Sequence, residues 1–253
     1  MLPLKYRADP GLEFLQFCNH DDLKDLVDIL TTDKGERRWA EYLTGDKRFI
    51  NYRDDLPKAW EMIASEFQRF GADAIASTIR RGEGVVYRVI LTDVCGRLKI
   101  TANETEDFAV IEARLLAKVL ADSWEKMSDA EQFEFAKAAG PAFAGAGFDP
   151  RKMAPAAILA ALQGAILAGG FAAYQVAMVI ANGAARMVLN RGLALAANAG
   201  ITRAIGVFAG PVGWVVSGIL ALPLLTSAAY RVTIPATLVT ACLRQKHLNH
   251  DML

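Results

Sequence analysis

"MAPAAILAALQGAILAGGFAAYQVAMVIANGAA", residues 153–185, is a run of 33 consecutive residues without a charged side chain. As one helix rising about 1.5 Å per residue it would extend roughly 50 Å, more than a hydrocarbon core of about 30 Å requires. A second uncharged run of 27 residues, 204–230, holds most of "AGPVGWVVSGILALPLLTSAAYRVTIPA", residues 209–236. Three readings fit such a pair: a helical hairpin in lipid, a hairpin buried at the centre of a larger helical bundle, or a hairpin sheltered in a soluble form and released into a bilayer. An area argument favours lipid, because the helices of the first half each offer one apolar stripe, too little to enclose two helices apolar on every face. Small residues in "GGFAA", "GAAR" and "GPVGWVVSG" suit close helix contacts in a membrane.

Charge separates the two halves. Of 28 acidic residues, 27 lie at or before Asp149, and the charged residues between 153 and 243 are all arginine: 186, 191, 203 and 231. The expected organisation is therefore a helical domain over residues 1–150 and a hydrophobic, membrane-active helical region over residues 151–253. The expected fold is all-α, an N-terminal amphipathic helical domain followed by a membrane-inserted C-terminal hairpin or bundle.

The first half reads as short amphipathic helices without a convincing strand. In "HDDLKDLVDIL", Leu23, Leu26, Val27 and Leu30 share one face, and the acids at its start suit the helix dipole. A turn-like "TTDKGE" follows. "LPKAWEMIASEFQRFG" places Trp60, Ile63, Phe67 and Phe70 on a stripe, with Gly71 as its expected C-terminal cap. "GVVYRVILTDVCGRLKI" is rich in β-branched residues, yet Val86, Ile90, Val94 and Leu98 fall at helical spacing. "NETEDFAVIEARLLAKVLADSWEKM" is the clearest helix, and "SDAEQFEFAKAAG" opens on the capping box Ser128 and Glu131.

Chemistry-bearing motifs are scarce. The histidines are His20, His247 and His250, none in a metal-ligand pairing, and the three cysteines have no paired spacing, so no metal, no cofactor and no catalytic residue is expected and the thiols read as reduced. "SWEK", Ser123–Lys126, has the letters of a Ser-x-x-Lys nucleophile but no partner motif. "RRGEG", residues 80–84, reads as a helix-joining turn.

The candidate site residues lie in the second half. Asn182, Arg186 and Asn190 recur every four residues and, with Arg191, form a polar stripe read as pore-lining. Tyr230, Arg231 and Trp214 are expected at a membrane interface. Pro211, Gly213, Pro223 and Pro235 are expected to break helices or serve as gates.

"GLEFLQFC", "FGADAIASTIRRGEGVVYRVILTDVCGRLKI", "GPVGW" and "AAYRVTIPATLVTACLR" resemble the YaaW family of bacterial proteins, the last segment most specifically. That family's region corresponding to residues 55–130 is in turn similar to the helical domain of ubiquinol-cytochrome c chaperones. The resemblance implies an all-helical fold and an interaction role, and transfers no catalytic residue.

The function expected from the sequence is a non-enzymatic, oligomeric channel or pore-forming effector of bacterial defence or stress, its hydrophobic bundle controlled by the N-terminal domain. The alternative is a chaperone or assembly factor for membrane proteins. The expected partners are a lipid bilayer, further copies of the chain, and a regulatory protein or small ligand at the N-terminal domain; nucleic acid is left open. The expected location is the inner membrane, with residues 1–150 in the cytoplasm.

Overall fold

Asn19 starts the first long helix by a reciprocal exchange: its side chain accepts from the Asp22 amide, and the Asp22 carboxylate accepts from the Asn19 amide. This helix, α1 (His20–Thr31), buries Leu23, Leu26, Val27 and Leu30 as the periodicity predicts. The computed structural model describes residues 4–74, 84–143, 148–189 and 229–249. A minimal hairpin follows, β1 (Thr32–Asp33) antiparallel to β2 (Glu36–Arg37), with Thr32 opposite Arg37 and Asp33 opposite Glu36. Both turn residues, Lys34 (φ 51°) and Gly35 (φ 91°), lie in the left-handed region that a two-residue hairpin turn demands.

The remaining described helices are α2 (Lys47–Tyr52), α3 (Trp60–Ala74), α4 (Tyr87–Arg97), α5 (Phe108–Trp124), α6 (Asp129–Ala139), α7 (Pro155–Ala168), α8 (Gly170–Leu189) and α9 (Tyr230–Leu248). The capping box of Ser128 and Glu131 opens α6 as expected. Gly71 does not cap α3. The helix continues to Ala74, and a Cβ at Gly71 would sit 2.5 Å from Ile90 Cγ1, so the glycine lets α3 and α4 approach closely.

The apolar run 153–185 is two helices rather than one. Gly169 (φ 78°) and Gly170 (φ 81°) take a conformation that side-chain-bearing residues avoid, and α7 and α8 meet there at a bend of 110°. No single helix among the described residues is long and apolar enough to cross a membrane. The helix α8 is instead enclosed by protein: Val176, Ala177, Met178, Ile180, Ala181, Ala184 and Ala185 are all buried. The membrane-inserted bundle is thus corrected to a helical core, and the all-α class stands.

At the centre of that core lies α9. It packs along α8 and also meets α1, α3, α4 and α5. Its buried side chains include Val232, Ile234, Leu238, Val239, Cys242 and Leu243 beside Thr233, Thr237, Thr240 and Arg244. The apolar stripes of the first half, each too narrow to enclose a helix alone, do so together. The helices α1, α3, α4 and α5 direct their stripes at one shared target, α9, and the hydrophobic core is continuous across residue 150.

Candidate binding site

The hairpin is held on three sides. The amide of Lys34 donates to the Val188 carbonyl near the end of α8 at 2.5 Å, and the amide of Arg38 donates to Thr31 O at 2.7 Å. Arg38 Nε donates to Ile29 O at 3.1 Å, so a cation satisfies a carbonyl at the C-terminal end of α1, where the helix dipole favours positive charge. The strand leaving the hairpin is tied to α3 by Arg69, which donates from Nη2 to Ala40 O and Glu66 Oε1 and from Nη1 to Asp73 Oδ2, and lies 4.3 Å from the centre of the Tyr42 ring. Glu66 in turn accepts from the Tyr42 amide at 3.0 Å.

These anchors leave a pocket of about 720 Å³ between the hairpin, the end of α3 and the start of α9, lined by Arg38, Trp39, Phe70, Asp73, Ala229 and Val232 among others. That volume is ordinary for a small-molecule site. Two side chains give it character. Trp39 is fully exposed, unusual for the largest aromatic residue. The Arg38 side chain is only 9% exposed; its Nη1 reaches Asp33 Oδ2 at 3.4 Å, and its buried Nη2 has no hydrogen-bond partner among the described residues. Burial pushes the Arg38 guanidinium below its ordinary range; Asp33 pulls it back up, and the nearby Arg231 adds to the lowering. A guanidinium stays charged regardless. The wall therefore contains a cation, whose unpartnered Nη2 is closed off from the pocket space.

A second polar cluster lies wholly inside the core. Arg244 on α9 donates from Nε to Glu112 Oε2 at 2.8 Å and from Nη2 to Gly11 O at 2.5 Å, and lies 4.3 Å from the centre of the Phe14 ring. Tyr87 donates its hydroxyl to Glu112 Oε1 at 2.7 Å, while its amide donates to Asp9 Oδ2. Gln68 Nε2 donates to the same Asp9 oxygen at 3.1 Å. Burial pushes Glu112 above the usual carboxylate range, countered by Arg244; burial is also the largest single influence on Arg244 and opposes its charge, but Glu112, Tyr87 and Asp107 together outweigh it and hold the guanidinium up. This network joins the N-terminal segment to α3, α4, α5 and α9 and is closed to solvent. Its chemistry is that of a clamp.

The sequence-derived candidates scatter. Asn182 is buried within α8 and Arg186 is partly buried one turn on. Asn190, Arg191, Pro211, Gly213, Trp214 and Pro223 lie outside the described residues. Tyr230 is buried rather than set at a lipid interface: Arg97 donates to its hydroxyl and stacks 4.2 Å from its ring centre. Arg231 is exposed beside the pocket, and α9 runs through Pro235 as one helix. Ser123 of "SWEK" is buried and donates to Val119 O at 2.6 Å, which occupies it within its own helix. Among the described residues no group of three or more His, Cys, Asp or Glu is placed to hold a metal.

Sequence reasoning passed over Arg38 and Trp39. The available signal was "GERRW", an aromatic directly after two arginines in a polar turn.

An all-α protein with a central polar-tagged helix and a hairpin-rimmed pocket is the class this architecture defines. Comparison with known proteins then gives the family. Residues 6–39 match the family model described as "Domain of unknown function (DUF3944)", a stretch running from the clamp's Asp9 and Gly11 to the pocket's Trp39. Over 244 residues the chain is 38% identical to a UPF0174 protein of Helicobacter pylori, covering 96% of this chain and 94% of the relative. It is 34% identical over 250 residues to the UPF0174 protein YaaW of Escherichia coli K12, covering 96% of each. A second H. pylori UPF0174 protein is 35% identical over 207 residues, 81% of this chain and 97% of that protein. The chain belongs to the UPF0174 family. A separate likeness of residues 55–130 to the ubiquinol-cytochrome c chaperone domain has no support in these comparisons, and no solved structure matches.

The functional expectations drawn from lipid are corrected accordingly. With α8 enclosed by protein and the long run 153–185 broken at Gly169, nothing among the described residues supports a channel, a pore or an oligomeric membrane effector, and the bilayer, the homo-oligomer and the inner-membrane location lose that run as support; most of the second run, 204–230, lies outside the described residues.

Proposed function

We propose that this protein acts by binding rather than by catalysis, and that its pocket between the hairpin and α9 takes a small molecule bearing an oxyanion, a carboxylate or a phosphate group. The observation that carries this reading is the cationic character of the wall: Arg38 and Lys34 line the pocket, and Arg231 lies close enough to act on the charge of Arg38. A hydrogen bond from a guanidinium or ammonium to a carboxylate or phosphate oxygen is charge-assisted and about twice as strong as a neutral one, so an oxyanion gains more at this wall than a neutral ligand. Nε and Nη1 of Arg38 donate to Ile29 O and Asp33 Oδ2, which holds the plane of the guanidinium before any ligand arrives.

Calorimetric titration of the full chain with small carboxylates and inorganic phosphate tests the reading. Binding is expected, and Arg38→Lys, which keeps the charge but lacks the planar fork, should weaken it about tenfold or more. Equal affinity of the wild type and Arg38→Lys for every anion that binds would overturn it.

A further inference from the structure

We infer that the ligand is a short acidic peptide, bound in extended form as an added strand on the outer edge of β2; this rests on the oxyanion reading above and names the molecule that carries the carboxylate. The first observation is the path of the pocket. Its lining takes in every residue from Glu36 to Ala40, so it runs beside β2 and the segment leaving it, while Phe70, Asp73, Ala229 and Val232 supply the wall beyond the hairpin. At about 3.4 Å per residue that stretch offers roughly 13 Å of extended chain. A cleft between a strand edge and helices is a setting in which an extended peptide adds to a sheet.

The second observation is the state of that edge. The Arg38 amide donates to Thr31 O, so by the alternation of an antiparallel ladder Arg37 and Trp39 direct their amides and carbonyls away from β1. None of these groups has a protein partner among the described residues. Sheet edges are ordinarily blunted by charge. Here the charge of Arg37 is taken up by Glu41, and Trp39, two residues on and so on the same face, is fully exposed. The hairpin is also held in place, by the Lys34 amide on Val188 O and by Arg38 Nε on Ile29 O, so the edge is ordered before a peptide arrives. Charge sets the sign of the peptide. Asp33 is bonded to Arg38, Asp73 to Arg69 and Arg37 to Glu41, which leaves Lys34 in the lining and Arg231 beside it against Glu36. The uncommitted balance is positive, so carboxylates on the added strand are attracted and ammonium groups repelled.

The test titrates the full chain calorimetrically, at fixed ionic strength, with acetate, a blocked five-residue peptide alternating glutamate and valine, its lysine–valine counterpart, and two forms of the acidic peptide N-methylated at every glutamate or at every valine. The acidic peptide is expected to bind at least about tenfold tighter than acetate or the lysine peptide. An added strand pairs only alternate amides with the edge, so one methylated form should lose at least about tenfold and the other stay within about threefold. Trp39→Pro, which removes an outward amide, should weaken binding further than Trp39→Ala, which removes the indole and keeps the amide. Because Trp39 is fully exposed, both variants should melt with the wild type; the methylated peptides decide the matter even if the proline variant does not fold. If acetate binds in an Arg38-dependent way but the acidic peptide is no tighter, or if the two methylated forms bind alike, strand addition fails and the oxyanion reading survives. A folded Trp39→Pro that binds like Trp39→Ala also overturns strand addition. A lysine peptide that binds as tightly as the acidic one, or no binding by any of these ligands, overturns the oxyanion reading and this inference with it.

Discussion

Replacing Arg244 with methionine tests whether the buried clamp holds the two halves of the sequence together. Methionine keeps most of the aliphatic stem, so the loss is concentrated in the guanidinium: the bonds to Glu112 Oε2 and Gly11 O, and the stacking on Phe14. Glu112 stays in place, wholly buried, with Tyr87 as its remaining donor and no neutralising cation among the described residues. Removing one partner of a buried ion pair costs about 3–5 kcal/mol, and for a chain of this size each kcal/mol moves the melting temperature by about 2–4 °C. Arg244→Met is therefore expected to melt roughly 6–20 °C lower than wild type. Adding Glu112→Gln should restore a large part of the loss, because glutamine keeps an acceptor for Tyr87 and removes the stranded charge. A pH series supplies the sign. Burial already raises Glu112 above its ordinary value, and loss of Arg244 raises it further. A carboxylate raised in the folded state binds protons preferentially there, so its penalty is greatest at high pH and fades as pH falls through the folded value toward the unfolded one near 4.5. The gap between variant and wild type should therefore narrow from pH 8 to pH 5. Thermal melts across that range check it. A gap that is constant with pH, or a double variant no more stable than Arg244→Met alone, would refute the reasoning.

Two further expectations concern other groups. Burial pushes the Cys18 and Cys95 thiols up to about 12 and Cys242 higher still, so alkylation of the native chain at pH 8 should run at least about a hundredfold slower than of the unfolded chain; rapid labelling without denaturant would contradict this. Asp46 caps α2 and is lowered to about 2 by its hydrogen bonds to Arg48, so its contribution is present above its unfolded value near 3.8 and lost as pH falls from there toward 2. Asp46→Asn, which retains a capping oxygen, should be less stable than wild type by about 0.5–1 kcal/mol at pH 6 and equal to it at pH 2, as read from denaturant melts.

The all-α class and most first-half helices were legible because their apolar residues recur at helical spacing, and spacing is a local property. Leu23, Leu26, Val27 and Leu30 needed no knowledge of a partner to declare a face. The partner itself was not legible. Enclosure of α8 and α9 depends on where α1, α3, α4 and α5 direct their stripes, a matter of chain path that no window of sequence contains. The break at Gly169 and Gly170 could have been weighed more heavily, since adjacent glycines are a poor continuation for a helix. Absence of charge does not register such a break, because glycine carries none.

One signal against lipid was present in the apolar stripe of α5. In "FAVIEARLLAKV", Glu112 stands four residues after Phe108 and three, four and seven before Leu115, Leu116 and Val119, a carboxylate at a core position of a 3.6-residue pattern. Such a residue must find a buried cation, and no lysine or arginine on the same helix face is placed to supply one from within the core. The cation had to come from another element, and the arginines with no carboxylate nearby in sequence lie in the second half. Arg244, in the segment that most strongly marks the family, is the one that arrives. An isolated acid in one half and unneutralised arginines in the other thus describe two faces of one core, and the charge division across residue 150 that suggested two solvents reflects pairing across it as well.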